Sequence, residues 1–311
     1  MQVLRGIPAH SCGPVALTIG NFDGVHLGHQ AMLARLVEAA QRRRLPAAVM
    51  TFEPHPREFF APESAPARLT SLREKLELLS NQGVERVYIC RFNHAFARTS
   101  AEDFVTRLLH ERLQTRWLLV GDDFRFGAKR AGNYELLFRQ APQLGFELVD
   151  MPSVEAGGQR VSSTLVREAL AAGDMARAQT YLGRHYSISG RVMHGDKIGS
   201  SIGFPTANVQ MRHNRPPVAG IFAVNLHGAA EQALAGVASL GTRHTVMQDG
   251  GLRLEVHLFD FSGDLYGRHV RVEFLHKLRD EAQYPDLESL TAQIERDAQD
   301  ARRYFETAMH D

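Results

Sequence analysis

The sequence predicts an α/β chain in two parts: a parallel sheet with helices on both faces, then an antiparallel β-barrel or sandwich closed by a C-terminal helix. Three observations carry this reading. Short apolar runs alternate with helical segments through the first half. From about residue 186 the pattern changes to runs of alternating apolar and polar residues, split by glycine-containing turns. The C-terminal stretch then returns to helical spacing.

At 311 residues the chain is long enough for about two domains. Its 36 basic and 35 acidic residues nearly cancel, so nothing in the overall charge calls for nucleic acid or an anionic membrane as partner. No uncharged apolar run approaches the ~18 residues of a spanning helix. The opening MQVLRGIPAHSCGP lacks a basic segment followed by an apolar core, so no signal peptide is read there. Cys12 and Cys90 form no metal or redox spacing; reduced thiols and a cytoplasmic location are expected. The oligomeric state is open, a homo-oligomer included.

In the first half, VALTI (15–19) reads as a buried strand. A helix follows from Gly28 to Arg44, with Leu33, Leu36, Val37 and Ala40 on one face and Arg42, Arg43 and Arg44 in the last turn, where cations suit the helix dipole. AAVMTF (47–52) is a strand, 69–82 a helix and RVYIC (86–90) a strand. Thr99 or Ser100 caps a helix running to about Leu113, with Glu102 and Asp103 in its first turn. WLLVG (117–121) and FELVDM (146–151) are strands around a helix from Tyr134 to Leu144. Two short helices, 162–174 and 175–183, lead to a domain boundary near residues 183–186. Beyond it, SISGRVMHG, GIFAVNLHG, ALAGVASLG, RLEVHLFDF and RHVRVEFLHKL read as strands, with turns at 249–251 and 262–264. A helix from Asp286 to about Phe305 ends the chain, its apolar face carried by Leu287, Leu290, Ile294, Ala298, Ala301 and Phe305.

The junction after the first strand, GNFDGVHLGHQ (20–30), holds two histidines three apart among glycines. In open parallel sheets ligands bind beyond the carboxyl ends of strands, and a helix N-terminus offers free N–H groups to an anion. The stretch is neither a P-loop nor the dinucleotide fingerprint. His26 and His29 supply side-chain donors for phosphate oxygens. A zinc site would need third and fourth ligands, and none is evident nearby; a structural histidine pair is the remaining alternative.

G-x-F-D-G-x-H-x-G-H resembles the signature of the HxGH nucleotidyltransferases, and VSSTLVR (161–167) is similar to their second signature. TFEPHP (51–56), VGDDFRFGAKRAGN (120–133) and IGFPTAN (202–208) narrow the resemblance to the bacterial bifunctional riboflavin kinase and FMN adenylyltransferase family, also called FAD synthetases. The resemblance runs from about residue 14 to the C-terminal helix. It implies a Rossmann-like adenylyltransferase domain at 1–185 and a β-barrel riboflavin kinase domain at 186–311, using ATP and Mg2+ and handling riboflavin, FMN and FAD.

For adenylylation the resemblance implies an ATP site of Gly20, Asn21, Phe22, Asp23, Gly24, His26, His29, Ser163, Thr164 and Arg167. His26 and His29 would sit near the reacting phosphates and Arg167 on the pyrophosphate side, the two motifs meeting over the triphosphate. Asp123, Phe124, Arg125, Phe126 and Gly127 would lie along the flavin nucleotide. The alternative for the aromatics is a turn with core phenylalanines. His55 would join the flavin side or only order the loop between Pro54 and Pro56.

Phosphorylating riboflavin is a different problem, because a hydroxyl nucleophile must lose a proton and a metal must bridge phosphates. Here the resemblance implies Thr206 and Asn208 at the magnesium–nucleotide site and Glu255 as base. Gly195, Gly199, Gly203, Phe204 and Pro205 would cradle ATP, and Arg279 would contact the flavin or order the flap over it. Ser200 stands where the family commonly has Arg, with Lys197 nearby, and GTRHTV carries His244 and Val246 where the family has Pro and Phe. Two other readings stay open: an adenylyltransferase for another phosphorylated acceptor, and a flavin-binding protein whose kinase half has lost turnover.

Overall fold

The computed structural model describes residues 1–10, 12–121, 123–195, 203–212, 215–242 and 252–308. By contacts the chain divides into two compact units. One comprises Met1–Pro66 with Leu72–Ser162, the other Ala67–Ser71 with Ser163–Asp311.

The first unit is built on six parallel strands: β1 (Gln2–Arg5), β2 (Val15–Ile19), β3 (Ala47–Glu53), β4 (Arg86–Arg91), β5 (Thr115–Gly121) and β6 (Glu147–Met151). Their order is β1-β4-β3-β2-β5-β6, so the sheet grows in opposite directions from β2 and has its switch point between β2 and β5. All five residues of β2 are buried because both faces of the sheet are covered. Val15, Leu17 and Ile19 pack with Phe104, Val105, Leu109 and Leu137. Ala16 joins Leu33, Leu36, Ala40 and Leu79 in the opposite layer. The helices supplying these side chains are α1 (Leu27–Arg43) and α3 (Leu72–Asn81) on one face, with the π-helical stretch Phe104–Arg112 that continues α5 (Ala101–Asp103), and α6 (Tyr134–Leu144), on the other; α2 (Pro56–Phe60) and α4 (His94–Ala97) are short. A small hairpin, β7 (Glu155–Ala156) with β8 (Gln159–Arg160), completes the unit.

Local chemistry sets the helix ends. Ser100 Oγ accepts from the Asp103 N–H at 3.0 Å, and Asn133 Oδ1 accepts from the Leu136 N–H at 3.0 Å. Gly145 closes α6 in the left-handed region at φ 70°. Beyond the short α2, α4 and the β7–β8 hairpin, which the sequence reading leaves out, two further elements differ from the sequence expectation. The helix after Ser100 continues with π spacing over Phe104–Arg112, ending in a bond from the Leu113 N–H to the Leu108 carbonyl at 3.0 Å. This wider turn leaves Phe104, Val105, Leu108 and Leu109 all buried. Strand β1 is not legible in the sequence because four mostly exposed residues give too little alternation to read.

The second unit begins with α7 (Ser163–Ala171) and α8 (Met175–Leu182), and α8 packs against β9 and β14 of the barrel. The barrel consists of β9 (Tyr186–Met193), β10 (Thr206–Gln210), β11 (Gly220–His227), β12 (Leu234–Thr242), β13 (Leu252–Leu258) and β14 (His269–Arg279), antiparallel and closed in the order β10-β13-β12-β11-β14-β9. Of the two antiparallel architectures the sequence allows, it is the barrel. Strand β10 is not read from sequence, because TANVQ buries one residue of five. Phe222, Val224, Val256 and Phe274 are fully buried, with the Phe222 and Phe274 rings edge to face at 5.2 Å. The alternate positions Ile221, Ala223 and Val237 face out and are covered by Ala298 and Ala301 of the last helix, α9 (Leu287–Ala308). The expected turn at 249–251 lies outside the described residues. Among the described residues no helix is long and apolar enough to cross a membrane.

Candidate active sites

The first candidate site forms where β2 gives way to α1, at the switch point of the sheet. The loop between them is strained. Phe22 and Val25 sit at φ 49° and 40°, a conformation that L side chains avoid, most of all a β-branched one. Burial holds them there, each being 1 % exposed. Gly24, at φ 83°, supplies the one turn residue that needs no such support. The strained turn presents His26 as the N-cap of α1, its Nδ1 accepting from the His29 N–H at 3.3 Å. An accepting Nδ1 in a neutral imidazole leaves the proton on Nε2, so His26 is set as a donor there.

The His29 ring stacks on that of His26 at 3.7 Å between centroids and lies 5.0 Å from Phe22. Burial, then the charges of His26 and Lys75, hold its pKa well below the ordinary histidine value. His29 Nδ1 is buried without a hydrogen-bond partner among the described residues, as is Asn21 Oδ1. Two polar atoms beside a helix N-terminus are thus left with hydrogen-bonding capacity that no other described residue uses. Asp23 is buried in the same loop. Space is tight as well: a Cβ on Gly20 would stand 3.1 Å from the Phe22 ring, and one on Gly28 3.2 Å from the His26 ring, so either ring would have to give way slightly.

Ser163, Thr164 and Arg167 lie on α7 in the second unit, Thr164 and Arg167 one turn apart. The Arg167 Nε donates to the Ala67 carbonyl at 2.6 Å. On the expected flavin side, His55 caps α2, its Nδ1 accepting from the Arg57 N–H at 3.1 Å while Glu58 accepts from the His55 N–H. Phe126 is buried in the core, with Phe124 half-buried and stacked on it at 5.5 Å. Asp123 and Arg125 are exposed, and Asp123 pairs with Arg160 at 3.6 Å. Gly127, at φ 71°, presses against the backbone of Ala101, where a Cβ would come within 2.8 Å.

The second candidate site is a row across the barrel wall. Asn208 of β10 stands directly opposite Glu255 of β13, which stands opposite Ser239 of β12. Directly opposed residues share a face, and this is the outer face that α9 covers further along. Thr206, two residues before Asn208, is on the same face. The side chains of Thr206, Asn208 and Glu255 are partly exposed and hydrogen-bond to no other described residue. Gly195 lies against Asn208: a Cβ there would fall 2.2 Å from the amide nitrogen. Nearby, the Phe204 ring meets His257 at 5.2 Å, and His257 Nδ1 is 2.9 Å from the Pro205 carbonyl. Gly203 is exposed at φ 87°. Neutral Thr and Asn oxygens fit a hard cation that keeps waters and phosphate ligands; among the described residues no His, Cys, Asp or Glu cluster offers a rival metal site. Gly199, Lys197, Ser200, His244 and Val246 lie outside the described residues.

Arg279, at the end of β14, is held by a residue the sequence reading missed. Its Nε and Nη2 donate to the two carboxylate oxygens of Asp297 on α9 at 2.7 and 2.6 Å. Asp297 is 5 % exposed. A buried acid on the inward face of an amphipathic helix is the sequence signal that would have found it. Lys75, buried on α3 within electrostatic reach of His29, is the other omission.

Residues 9–165 match the FAD synthetase family and residues 182–305 match riboflavin kinase. The bifunctional riboflavin kinase/FMN adenylyltransferase of Escherichia coli (strain K12) is 49% identical over 310 residues, covering 98% of each chain. The protein of the same description from Pseudomonas fluorescens is 46% identical over 314 residues and the whole of both chains. Among solved structures, one titled a macrolide-efflux protein from Streptococcus pneumoniae is 29% identical and superposes with a TM-score of 0.80, covering 96% of this chain and 97% of its own.

Proposed function

The chain belongs to the bifunctional riboflavin kinase/FMN adenylyltransferase family, and from that premise we propose which residues perform each of its two ATP-dependent steps. The functional boundary is put at residues 185 and 186, with FMN adenylyltransferase in 1–185 and riboflavin kinase in 186–311.

In the kinase step Glu255 takes the proton from the ribityl hydroxyl as that oxygen attacks the terminal phosphate of ATP, giving FMN and ADP. Thr206 and Asn208 would hold Mg2+ beside the nucleotide, and the bound ion would neutralise phosphate charge during transfer. Gly195, Gly199, Gly203, Phe204 and Pro205 are assigned to ATP. Arg279 serves the flavin side. The observation that carries this assignment is the direct opposition of Asn208 and Glu255 across β10 and β13, with neither side chain spent on another described residue.

Adenylylation needs no general base, because the attacking oxygen belongs to the FMN phosphate and is already anionic. The work is to hold phosphates in line and offset charge as pyrophosphate departs. His26 and His29 donate to phosphate oxygens, and Gly20 to Gly24 shape the approach. Ser163, Thr164 and Arg167 act on the pyrophosphate side. Phe124, with Asp123, Arg125 and Gly127, serves the flavin, while Phe126 supports Phe124 from the core and His55 orders the loop before α2. The same reading keeps the enzyme in the cytoplasm, which its two free cysteines suit.

One incubation tests the assignment. Wild-type protein with riboflavin, ATP and magnesium should show FMN appearing and then converting to FAD by chromatography. Glu255→Gln should lower FMN formation by about 100-fold or more while converting supplied FMN to FAD at the normal rate. FMN formation at the wild-type rate would remove Glu255 from the role of base.

A further inference from the structure

The guanidinium of Arg279 is locked from outside the barrel. Asp297 grips it with two parallel hydrogen bonds, at 2.7 and 2.6 Å, and Arg279 Nη1 also donates to the Asp280 carbonyl at 2.8 Å. Asp297 is in turn fixed by Gln293, whose Nε2 donates to Oδ1 at 2.9 Å. The guanidinium carbon lies 5.9 Å from the centre of the Tyr284 ring. The hydrogen bonds to Asp297 raise the Arg279 pKa above its ordinary value. The fork still has one N–H on each terminal nitrogen that these bonds leave over.

The placement of the pair relates it to the wall row. Arg279 pairs with Ile221 on β11, Ile221 with Ser239 on β12, Ser239 with Glu255 on β13, and Glu255 with Asn208 on β10. One lateral row therefore carries the residues for metal, base and flavin, and its Arg279 end is set by a helix that begins after the last strand. A buried ion pair is a weak stabiliser, since desolvating both charges offsets much of their attraction. Replacing it by apolar residues would serve α9 packing as well. What an apolar contact cannot do is fix the plane and rotation of a guanidinium.

We infer that Asp297 is a positioning residue for riboflavin in the kinase site, acting through Arg279; this rests on the reading that Arg279 serves the flavin. The C-terminal helix is thereby part of the substrate-recognition machinery, besides covering the barrel wall.

The test is steady-state kinetics of the full chain with riboflavin and with ATP varied separately. Arg279→Ala should raise the KM for riboflavin about tenfold, the scale of a lost charge-assisted hydrogen bond, with the KM for ATP unchanged. Asp297→Asn should do the same without lowering kcat in proportion. The double variant should be no worse than Arg279→Ala alone, because both remove one interaction. FMN adenylylation by each variant should match wild type. If Asp297→Asn does not fold, Asp297→Glu keeps the charge, displaces the fork and should raise the riboflavin KM on its own. An unchanged riboflavin KM in Arg279→Ala overturns the flavin reading of Arg279 and this inference with it. A raised KM in Arg279→Ala with an unchanged KM in the folded Asp297 variants, or multiplicative effects in the double variant, overturns this inference alone.

Discussion

His29 shows how packing decides the chemistry of a single side chain. Its pKa is held well below the usual value of 6.5, first by burial and then by His26 and Lys75. Above pH 6.5 the ring is neutral in both the folded and the unfolded chain, so it adds no pH dependence there. Below pH 6.5 the unfolded chain takes up a proton that the folded chain refuses, and stability is lost as the pH falls. We expect calorimetric melting of the first unit to drop between pH 6.5 and 5, and the drop to be smaller in His29→Gln; equal slopes would contradict it. Gly195 makes the complementary point about space. A methyl group there would meet the Asn208 amide at 2.2 Å and force it aside. Gly195→Ala should lower riboflavin phosphorylation on the order of 10- to 100-fold, the cost of a small misplacement at a reacting centre. FMN adenylylation, assayed in the same preparation, should be untouched.

At the scale of elements, α7 and α8 group with the barrel, while the motif residues of α7 are assigned to adenylylation. A fragment of residues 1–185 should convert FMN to FAD and leave riboflavin untouched. It should also melt below the full chain, because α8, in which Met175, Ala178 and Leu182 are buried, loses its packing against β9 and β14. Calorimetry and a flavin assay on that fragment check both statements. The same elements show what the sequence could carry. The central strands and the helices of the sheet are legible because continuous apolar runs, buried on both faces, and helical periodicity leave strong local patterns. Strands β1 and β10 are not, being short and mostly polar or exposed, and the π spacing after Phe104 has no signature in residue type. The histidine pair stands out by spacing and resemblance, and the P-T-A-N motif by resemblance alone. The facing of Asn208 and Glu255 could not, since it depends on the register of two strands far apart in the chain. Asp297 was hidden for the same reason: its partner is on another element.

For the molecule as a whole, two chemistries that need different things have been given two different frames. Anionic attack is assigned to a strand-to-helix junction at a sheet switch point, where donors converge. Hydroxyl attack is assigned to a barrel wall, where a base and neutral oxygens line up across strands. The frames differ in another respect. A closed barrel has no unpaired strand edge, so it gives no template on which a second chain could lay a further strand. The parallel sheet ends in two, at β1 and β6. Both are short and carry charge, Arg5 on one and Glu147 and Asp150 on the other, and charge on a short edge strand resists such pairing. Misassembly by strand addition therefore has its opening in the sheet rather than the barrel, and Glu147 and Asp150 belong to its guard as much as to its fold.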